Sequence, residues 1–436
     1  MKKFISLILM VIIAFSIFII PASAEYKPAF KVRGRNAILY NVDTDTVLYT
    51  KNPDEKTYPA SLTKIMVAVL LVEKNKNLKD LTVTISNNVY EEYKYSEAVI
   101  AGFDAGQKVN GHDLLAYTLV KSCADASAAI AEYVAGSEAA FIEMMNDKAK
   151  ELGMTSTNFT NCHGLHDPNH YSTARDMCIL TKYAMQYSVI KDIVEVARYE
   201  TKDGITLAAT NLMIDPNSGY YYKYATGFKT GFTDEAGRCL ASTASYEGMT
   251  YILIMLGCPA VEGSVENRYE FIDSAELYRW AFLGFSYVSI LDKSEVVDSI
   301  PVEYSWDYDS VNVRPHKDLY ALMPNEADKS TLNMKIKYKN DKLEAPVKKG
   351  QVVGTIEMYY ADQLVGIVDC VAAESIEGSS ILKTVRSVSD FFRRNKKVIA
   401  AILLIIVAIV IIFVIAVIRL NSKKKKYGRV RNYKRF

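Results

Sequence analysis

A serine and a lysine stand three residues apart in the stretch Pro59-Ala60-Ser61-Leu62-Thr63-Lys64, which opens the first strong helical segment. Residues at this spacing share one face of a helix, so the Ser61 hydroxyl and the Lys64 amine should lie close together. A serine hydroxyl is a poor nucleophile until a base takes its proton. Lysine can act as that base if burial or a second cation keeps it neutral. The pair therefore predicts covalent serine catalysis, although S-x-x-K alone is common in helices.

A second motif, Lys229-Thr230-Gly231, comes just before a strand predicted at Gly237–Ala244. Lys229 could supply the second cation that lowers the pKa of Lys64. S-x-x-K followed far downstream by K-T-G is much more specific than either motif alone.

These motifs and their surroundings resemble the D-alanyl-D-alanine carboxypeptidases, the low-molecular-mass penicillin-binding proteins. The likeness covers about residues 30–285 and also includes His163-Gly164-Leu165, Tyr171 to Met177, and Gly227 to Gly237. The resemblance implies an α+β catalytic domain of the serine β-lactamase/DD-transpeptidase type, with an antiparallel sheet and helices. The segment after residue 291 resembles the small all-β C-terminal domain of the same family.

The resemblance also implies catalytic roles. Ser61 would be the acylated nucleophile and Lys64 its base, while Ser122 would relay a proton. The reaction would remove the terminal D-alanine from peptidoglycan stem pentapeptides without a cofactor or a metal. β-Lactam antibiotics would acylate the same serine, and a DD-endopeptidase that cuts existing cross-links is the alternative within the enzyme class.

The substrate-binding residues implied by the resemblance lie on the K-T-G segment. Lys229 and Thr230 would hold the terminal carboxylate of the substrate, and Gly231 and Phe232 would continue the same wall of the cleft. The backbone N–H groups of Ser61 and Phe232 would form the oxyanion hole.

One motif departs from the family pattern. The family has S-x-N between the other two motifs, but this chain has Ser122-Cys123-Ala124. Loss of one hydrogen bond to a neutral group costs about 0.5–1.5 kcal/mol, and more if Lys64 loses its orientation. We expect a working enzyme. The alternative is a membrane-anchored binding protein whose catalysis is weakened or lost.

Two other interpretations are less favoured. Cys162, His163, His166 and His170 crowd together as zinc ligands can, but the resemblance places this loop at the rim of a metal-free site. Class A β-lactamases share two of the motifs, but no E-x-x-L-N stretch is present to supply their deacylating glutamate.

The elements that would position these residues follow from hydropathy. Two short strands flank Asp43-Thr44-Asp45 and predict a hairpin. Apolar spacing near 3.6 predicts helices up to about residue 200, and strands and one more helix follow. A sheet assembled from both ends of this region, packed on helices, is therefore expected. The predicted helices are Ser61–Lys74, Gly111–Leu119, Ala124–Ala135, Glu138–Leu152, Ala174–Gln186 and Ser264–Leu283, and the later strands are Gly237–Ala244 and Thr250–Leu256.

Both ends of the chain carry membrane-type signals. Lys2 and Lys3 precede an apolar run that ends in Ala22-Ser23-Ala24, which predicts a cleaved secretion signal, with an uncleaved anchor as the alternative. Val398–Ile418 has no charge and is long enough to span a bilayer. The basic tail after it would stay in the cytoplasm, so the catalytic domain would lie outside. A buried core helix is the alternative for this run.

The balance of charge agrees with an exported enzyme. Of 52 Lys and Arg, eleven lie in residues 1–24 and 419–436, whereas all 50 Asp and Glu lie between them. This acidic body does not favour nucleic-acid binding, and the expected partners are stem peptides, β-lactams and membrane lipid. The six cysteines are expected to be mainly buried small residues. The predicted domains are residues 1–24 (signal), 25–290 (catalytic), 291–378 (β-rich), 379–397 (amphipathic), 398–418 (transmembrane) and 419–436 (tail).

Overall fold

The computed structural model describes residues 28–260, 267–360 and 363–429. The predicted signal segment, residues 1–24, lies outside them. The chain forms two compact units. The first comprises Met1–Ile290 with Leu319–Lys335 and Glu357–Ile367, and the second comprises Leu291–Asp318, Ile336–Ile356 and Val368–Phe436.

Helices and strands alternate in irregular order, as expected for an α+β protein. The strands are β1 (Asn36–Asn41), β2 (Thr46–Lys51), β3 (Thr82–Thr84), β4 (Lys108–Asn110), β5 (Arg198–Glu200), β6 (Thr206–Ala208), β7 (Ala225–Thr233), β8 (Gly237–Tyr246), β9 (Met249–Cys258), β10 (Phe285–Leu291), β11 (Asp298–Glu303), β12 (Ser310–Pro315), β13 (Leu319–Pro324), β14 (Asn333–Tyr338), β15 (Leu343–Glu344), β16 (Val352–Tyr360) and β17 (Gln363–Ala372). The α-helices are α1 (Lys64–Lys74), α2 (Asn87–Tyr93), α3 (Gly111–Leu119), α4 (Ala124–Ala135), α5 (Glu138–Glu151), α6 (Ala174–Ala184), α7 (Ser188–Val194), α8 (Tyr269–Gly284), α9 (Ser380–Arg394) and α10 (Lys396–Arg429).

A five-stranded antiparallel sheet organises the first unit, in the order β2-β1-β9-β8-β7. Strand β1 of the hairpin therefore pairs with β9, more than two hundred residues later, which confirms a sheet assembled from both ends. Every residue of β1 is buried. Because side chains alternate along a strand, Ala37 and Leu39 pack into one core cluster and Ile38 and Tyr40 into the other.

The two faces of this sheet are covered differently. One core cluster contains Phe271, Leu277 and Tyr278 of α8. The other is larger and contains apolar side chains of α1, α3, α4 and α6. Helix α1 is buried from Lys64 to Val72, which fits its apolar composition on all sides. The S-x-x-K motif thereby leads into a helix that is buried over most of its length.

Helix boundaries follow capping side chains. Asn110, Ser137 and Thr173 each accept a backbone N–H of the helix that they precede, which satisfies a donor that has no intrahelical partner. The helices predicted at Gly111–Leu119 and Ala124–Ala135 are confirmed to the residue, and α5 and α6 end slightly earlier than predicted. Part of the last predicted helix, residues 264–266, lies outside the described residues.

Several elements escaped prediction. Helix α2 is short and polar, and strand β7, which carries K-T-G, contains two glycines and three threonines that weaken a hydropathy pattern. K-T-G was expected to precede a strand, whereas it lies within one. Pairing with β8 supplies the hydrogen bonds that the local composition does not specify.

The segment after residue 291 is rich in β-strands, and the prediction of an all-β C-terminal domain is confirmed. A six-stranded sheet has the order β14-β16-β17-β12-β11-β15. Helix α9 follows, with Ile381, Val385, Val388 and Phe392 exposed along one side. Among the described residues, one helical segment, Lys396–Leu420, is long and apolar enough to cross a membrane, and its apolar window is not buried.

Candidate active site

The serine motif forms a tight turn rather than regular α-helix. Ala60–Thr63 is a 3-10 helix, and α1 begins at Lys64. The prediction that Ser61 lies in the α-helix is therefore corrected. In a 3-10 turn, side chains three apart eclipse one another. The Lys64 Nζ atom lies 3.2 Å from the Ser61 Oγ atom, so the predicted pair is brought together.

The turn is held by the loop around His163. Ala60 has φ 49°, which is unusual for a residue with a Cβ. Gly164 packs directly against it, because a Cβ on Gly164 would lie 2.1 Å from the Ala60 carbonyl oxygen and 2.9 Å from the Ser61 backbone nitrogen. Only glycine allows this approach at a φ of +82°.

His170 supports the same turn from inside the core. The Thr160 N–H donates to its Nδ1, so the proton lies on Nε2, which donates to the Thr63 hydroxyl at 2.7 Å. Thr63 in turn donates to the Ala60 carbonyl oxygen at 2.8 Å. Burial lowers the pKa of His170 to about 4, so the ring is neutral. His170 is thus a structural residue of the nucleophile turn.

Lys64 meets the electrostatic requirement for a base. Its side chain is buried, and its amine donates to the His163 carbonyl oxygen at 2.5 Å as well as to Ser61. Burial lowers the pKa of Lys64 to about 8, against a smaller opposing effect of the Asp125 carboxylate. A substantial neutral fraction therefore exists near neutral pH.

The Ser122-Cys123-Ala124 segment joins α3 to α4 beside this pair. Cys123 lies near enough to Lys64 and Lys229 that their charges oppose the rise in its thiol pKa that burial causes. Ser122 is half-buried, with a left-handed φ of 70°. Within the described part of the chain, no hydrogen bond joins its hydroxyl to Lys64, so a proton relay by Ser122 stays a prediction. Ala124 is 2% exposed and offers no side-chain acceptor.

Strand β7 forms the opposite wall and is the edge strand of the sheet. A Cβ on Gly231 would lie 2.9 Å from the Ser61 backbone nitrogen, so this strand runs against the nucleophile turn. Thr230 donates through Oγ1 to the Thr210 hydroxyl at 2.6 Å. The Phe232 side chain is 48% exposed and lies beneath the Arg238 guanidinium. An edge strand can accept an extended peptide as an added strand.

Lys229 faces the interior. It is fully buried, and its amine donates to the Thr230 carbonyl oxygen at 2.8 Å. Burial, and then the charge of Lys64, lower its pKa well below the usual lysine value. The charge of Lys64 thus disfavours the charge of Lys229. The expected lowering of the Lys64 pKa by Lys229 is not observed, because burial alone lowers that pKa.

The histidine-rich loop has structural contacts. His166 packs edge-on against Tyr58, with ring centroids 4.6 Å apart. Among the described residues, no three His, Cys, Asp or Glu side chains come together as a possible metal site. All six cysteines lie in the described part, and they are buried and free of disulfides.

Two residues that contribute to the site could not be recognised from the sequence. Thr210 gave no signal, because it meets Thr230 only through the tertiary fold. His163 was considered for its imidazole ring, whereas its backbone carbonyl contacts Lys64. Backbone roles leave no trace in residue type, and the signal that could have indicated this one is the neighbouring Gly164, because glycine permits close backbone approach.

A serine contacts a buried lysine at a helical turn, and both face an edge strand that carries K-T-G. This arrangement is typical of the penicillin-binding class of serine enzymes. Residues 22–260 match the model of the D-alanyl-D-alanine carboxypeptidase family, and residues 285–378 match the C-terminal domain of penicillin-binding protein 5. The chain belongs to the D-alanyl-D-alanine carboxypeptidase family, as the sequence motifs predicted.

Curated relatives and solved structures agree with this family assignment. The chain is 30% identical over 328 residues to D-alanyl-D-alanine carboxypeptidase DacF of Bacillus subtilis, which is 74% of this chain and 80% of that protein. It is 32% identical over 348 residues to D-alanyl-D-alanine carboxypeptidase DacC of Escherichia coli, and the match covers 77% of this chain and 82% of that protein. Penicillin-binding protein 5 of Haemophilus influenzae superposes with a TM-score of 0.66 at 25% identity, covering 80% of this chain and 99% of that one.

Proposed function

We propose that this chain is a serine-type D-alanyl-D-alanine carboxypeptidase that trims the terminal D-alanine from peptidoglycan stem pentapeptides. One observation carries the proposal. The buried Lys64 amine lies 3.2 Å from the Ser61 hydroxyl oxygen and has a pKa of about 8. The activity is the one for which the curated relatives are named.

Acylation follows from this contact. Neutral Lys64 takes the Ser61 proton as the hydroxyl oxygen attacks the carbonyl carbon of the D-Ala–D-Ala bond. The N–H groups of Ser61 and Phe232 stabilise the oxyanion, and such a donor is typically worth about 3–4 kcal/mol. The protonated amine then gives its proton to the departing D-alanine nitrogen, which leaves an ester on Ser61. Water hydrolyses the ester, and Ser122 relays a proton.

Binding of the substrate carboxylate involves Lys229 and Thr230. An anion beside the buried Lys229 amine would raise its lowered pKa, because an opposite charge favours the protonated form. The carboxylate and one proton would therefore be taken up together. Gly231 gives the strand the close approach to Ser61 that this geometry requires.

The partners and location follow from the same proposal. β-Lactams would acylate Ser61 as covalent inhibitors, and the stem peptide would be reached outside the membrane. The helix Lys396–Leu420 would anchor the chain by its C-terminal part, with the basic tail in the cytoplasm.

The test uses the full chain in detergent. We expect D-alanine to be released from a synthetic pentapeptide, and a fluorescent penicillin to label the protein covalently. Both signals should vanish in Ser61→Ala, while Ser156→Ala, a serine distant in sequence, serves as the matched control. Labelling without D-alanine release would instead support a slow, binding-type relative. Absence of labelling in the native chain would reject the proposal.

A further inference from the structure

The absence of an asparagine at Ala124 changes what can orient Lys64. The residue is buried and has no polar side-chain atom. The only acceptors that contact the Lys64 amine in the described residues are the Ser61 hydroxyl and the His163 carbonyl oxygen. A backbone carbonyl can orient an amine only if its loop is fixed.

Glu138, the first residue of α5, fixes that loop. Its Oε1 atom accepts the Cys162 backbone N–H at 3.1 Å. Burial raises the pKa of the Cys162 thiol well above its usual value, and the Glu138 carboxylate raises it further. The Cys162 amide is adjacent in the chain to His163, whose carbonyl contacts Lys64. Because α5 is capped by Ser137, the carboxylate projects from a well-defined helix end.

The His163 ring adds a second connection to the same carboxylate. The Leu165 N–H donates to its Nδ1 at 3.1 Å, so the ring proton lies on Nε2. That Nε2 atom lies 4.0 Å from Glu138 Oε1. Burial lowers the pKa of His163 to about 3, so the ring is neutral. The contact is therefore between the polar N–H of a neutral imidazole and the Glu138 carboxylate, and it is not an ion pair.

We propose that Glu138 is a positioning residue for the general base: it fixes the Cys162-His163 backbone and so holds the His163 carbonyl on the Lys64 amine, in place of the side chain that Ala124 lacks. The proposal rests on the proposed function of Lys64. Glu138 does not touch the substrate in this role.

Two replacements of Glu138 distinguish the loss of its hydrogen bond to Cys162 from the loss of its negative charge. Glu138→Ala removes the acceptor for Cys162, and we expect the acylation rate constant with penicillin to fall about 10-fold or more, since a hydrogen bond to a charged group is worth about 1.5–3 kcal/mol. The non-covalent dissociation constant should stay within about twofold, because the carboxylate-binding wall is intact. Glu138→Gln keeps a side-chain oxygen acceptor and should restore most of the rate. Glu143→Ala, an exposed glutamate on the same helix, is the matched control.

A double-mutant cycle tests whether Glu138 compensates for the missing asparagine at position 124. Ala124→Asn adds an acceptor beside Lys64, so Glu138→Ala should cost less in that background than in the native chain. Crystal structures of Glu138→Ala and Glu138→Gln give a readout that does not need activity. The Lys64–His163 contact should lengthen in the first and persist in the second.

The proposal is overturned if Glu138→Ala acylates like the native chain, if Glu138→Gln is as slow as Glu138→Ala, or if the contact persists in the alanine variant. Equal losses in thermal stability and rate for both variants would also reject it. If the native chain does not acylate at Ser61, the proposed function fails, whereas the crystal structures still decide whether Glu138 positions Lys64.

Discussion

The chemistry of the site depends on the protonation of one amine. A lysine in water is almost entirely charged at neutral pH, and a charged amine cannot accept the serine proton. Burial lowers the pKa of Lys64 to about 8, and the adjacent buried amine of Lys229 makes full protonation of both residues unfavourable. The environment of Lys64 matters as much as its spacing from Ser61.

This environment predicts the pH dependence of acylation. Below pH 8 the neutral fraction of Lys64 falls about tenfold per pH unit, so the acylation rate should fall with it and level off above about pH 9. Stopped-flow absorbance with a chromogenic cephalosporin between pH 5.5 and 9.5 would measure the profile. A rate that is flat between pH 6 and 8 would mean that Lys64 is not the base.

Among the elements, the turn that contains Ser61 depends on contacts from several neighbours. The 3-10 turn Ala60–Thr63 contains a residue of positive φ, and the Gly164 loop and the His170–Thr63 hydrogen bond hold it. The turn is therefore stable only inside this fold. Ser61 is placed by packing from several segments, and not by the helix propensity of its own sequence.

Gly164→Ala tests that dependence. A Cβ at Gly164 meets the Ala60 carbonyl oxygen at 2.1 Å, so the turn must shift, and we expect a loss of acylation of about 100-fold or more together with lower thermal stability. Gly153→Ala is the matched control, because Gly153 has a φ of +79° but open space around it. That variant should lose about 1–2 kcal/mol of stability and keep its acylation rate. Similar rates in the two variants would show that the contact with Ala60 is unimportant.

At the scale of the whole molecule, one apolar helix bears on where the protein acts. The helix Lys396–Leu420 is apolar and long enough to span a bilayer, and the segment after it is basic. If the orientation is as proposed, His316 lies outside the cell and Ser422 inside.

Cysteine labelling of intact cells measures this orientation. All six native cysteines are buried, so a membrane-impermeant maleimide should report mainly on introduced thiols. We expect His316→Cys to be labelled in intact cells and Ser422→Cys only after permeabilisation. Labelling of Ser422→Cys in intact cells would reverse the proposed topology.

Some features could be predicted from the sequence because they depend on local pattern. The helices Gly111–Leu119 and Ala124–Ala135 have capping signals and regular apolar spacing, and the S-x-x-K and K-T-G motifs have residue types that few other sites combine. The family and the pairing of Ser61 with Lys64 followed from these. Strand β7 could not be predicted in this way, because its glycines and threonines give no hydropathy pattern. Its strand conformation depends on pairing with β8.

The sequence by itself determined the class of chemistry, the secondary structure of the strongly periodic segments and the apolar span. Only the tertiary structure decided that a carbonyl of His163 contacts Lys64, that Thr210 orients Thr230 and that Gly164 closes on Ala60. These contacts use backbone atoms or ordinary hydroxyls from segments far apart in the chain. Their residue types do not reveal them, because any folded chain has carbonyls and only the packing of this one brings them to the amine.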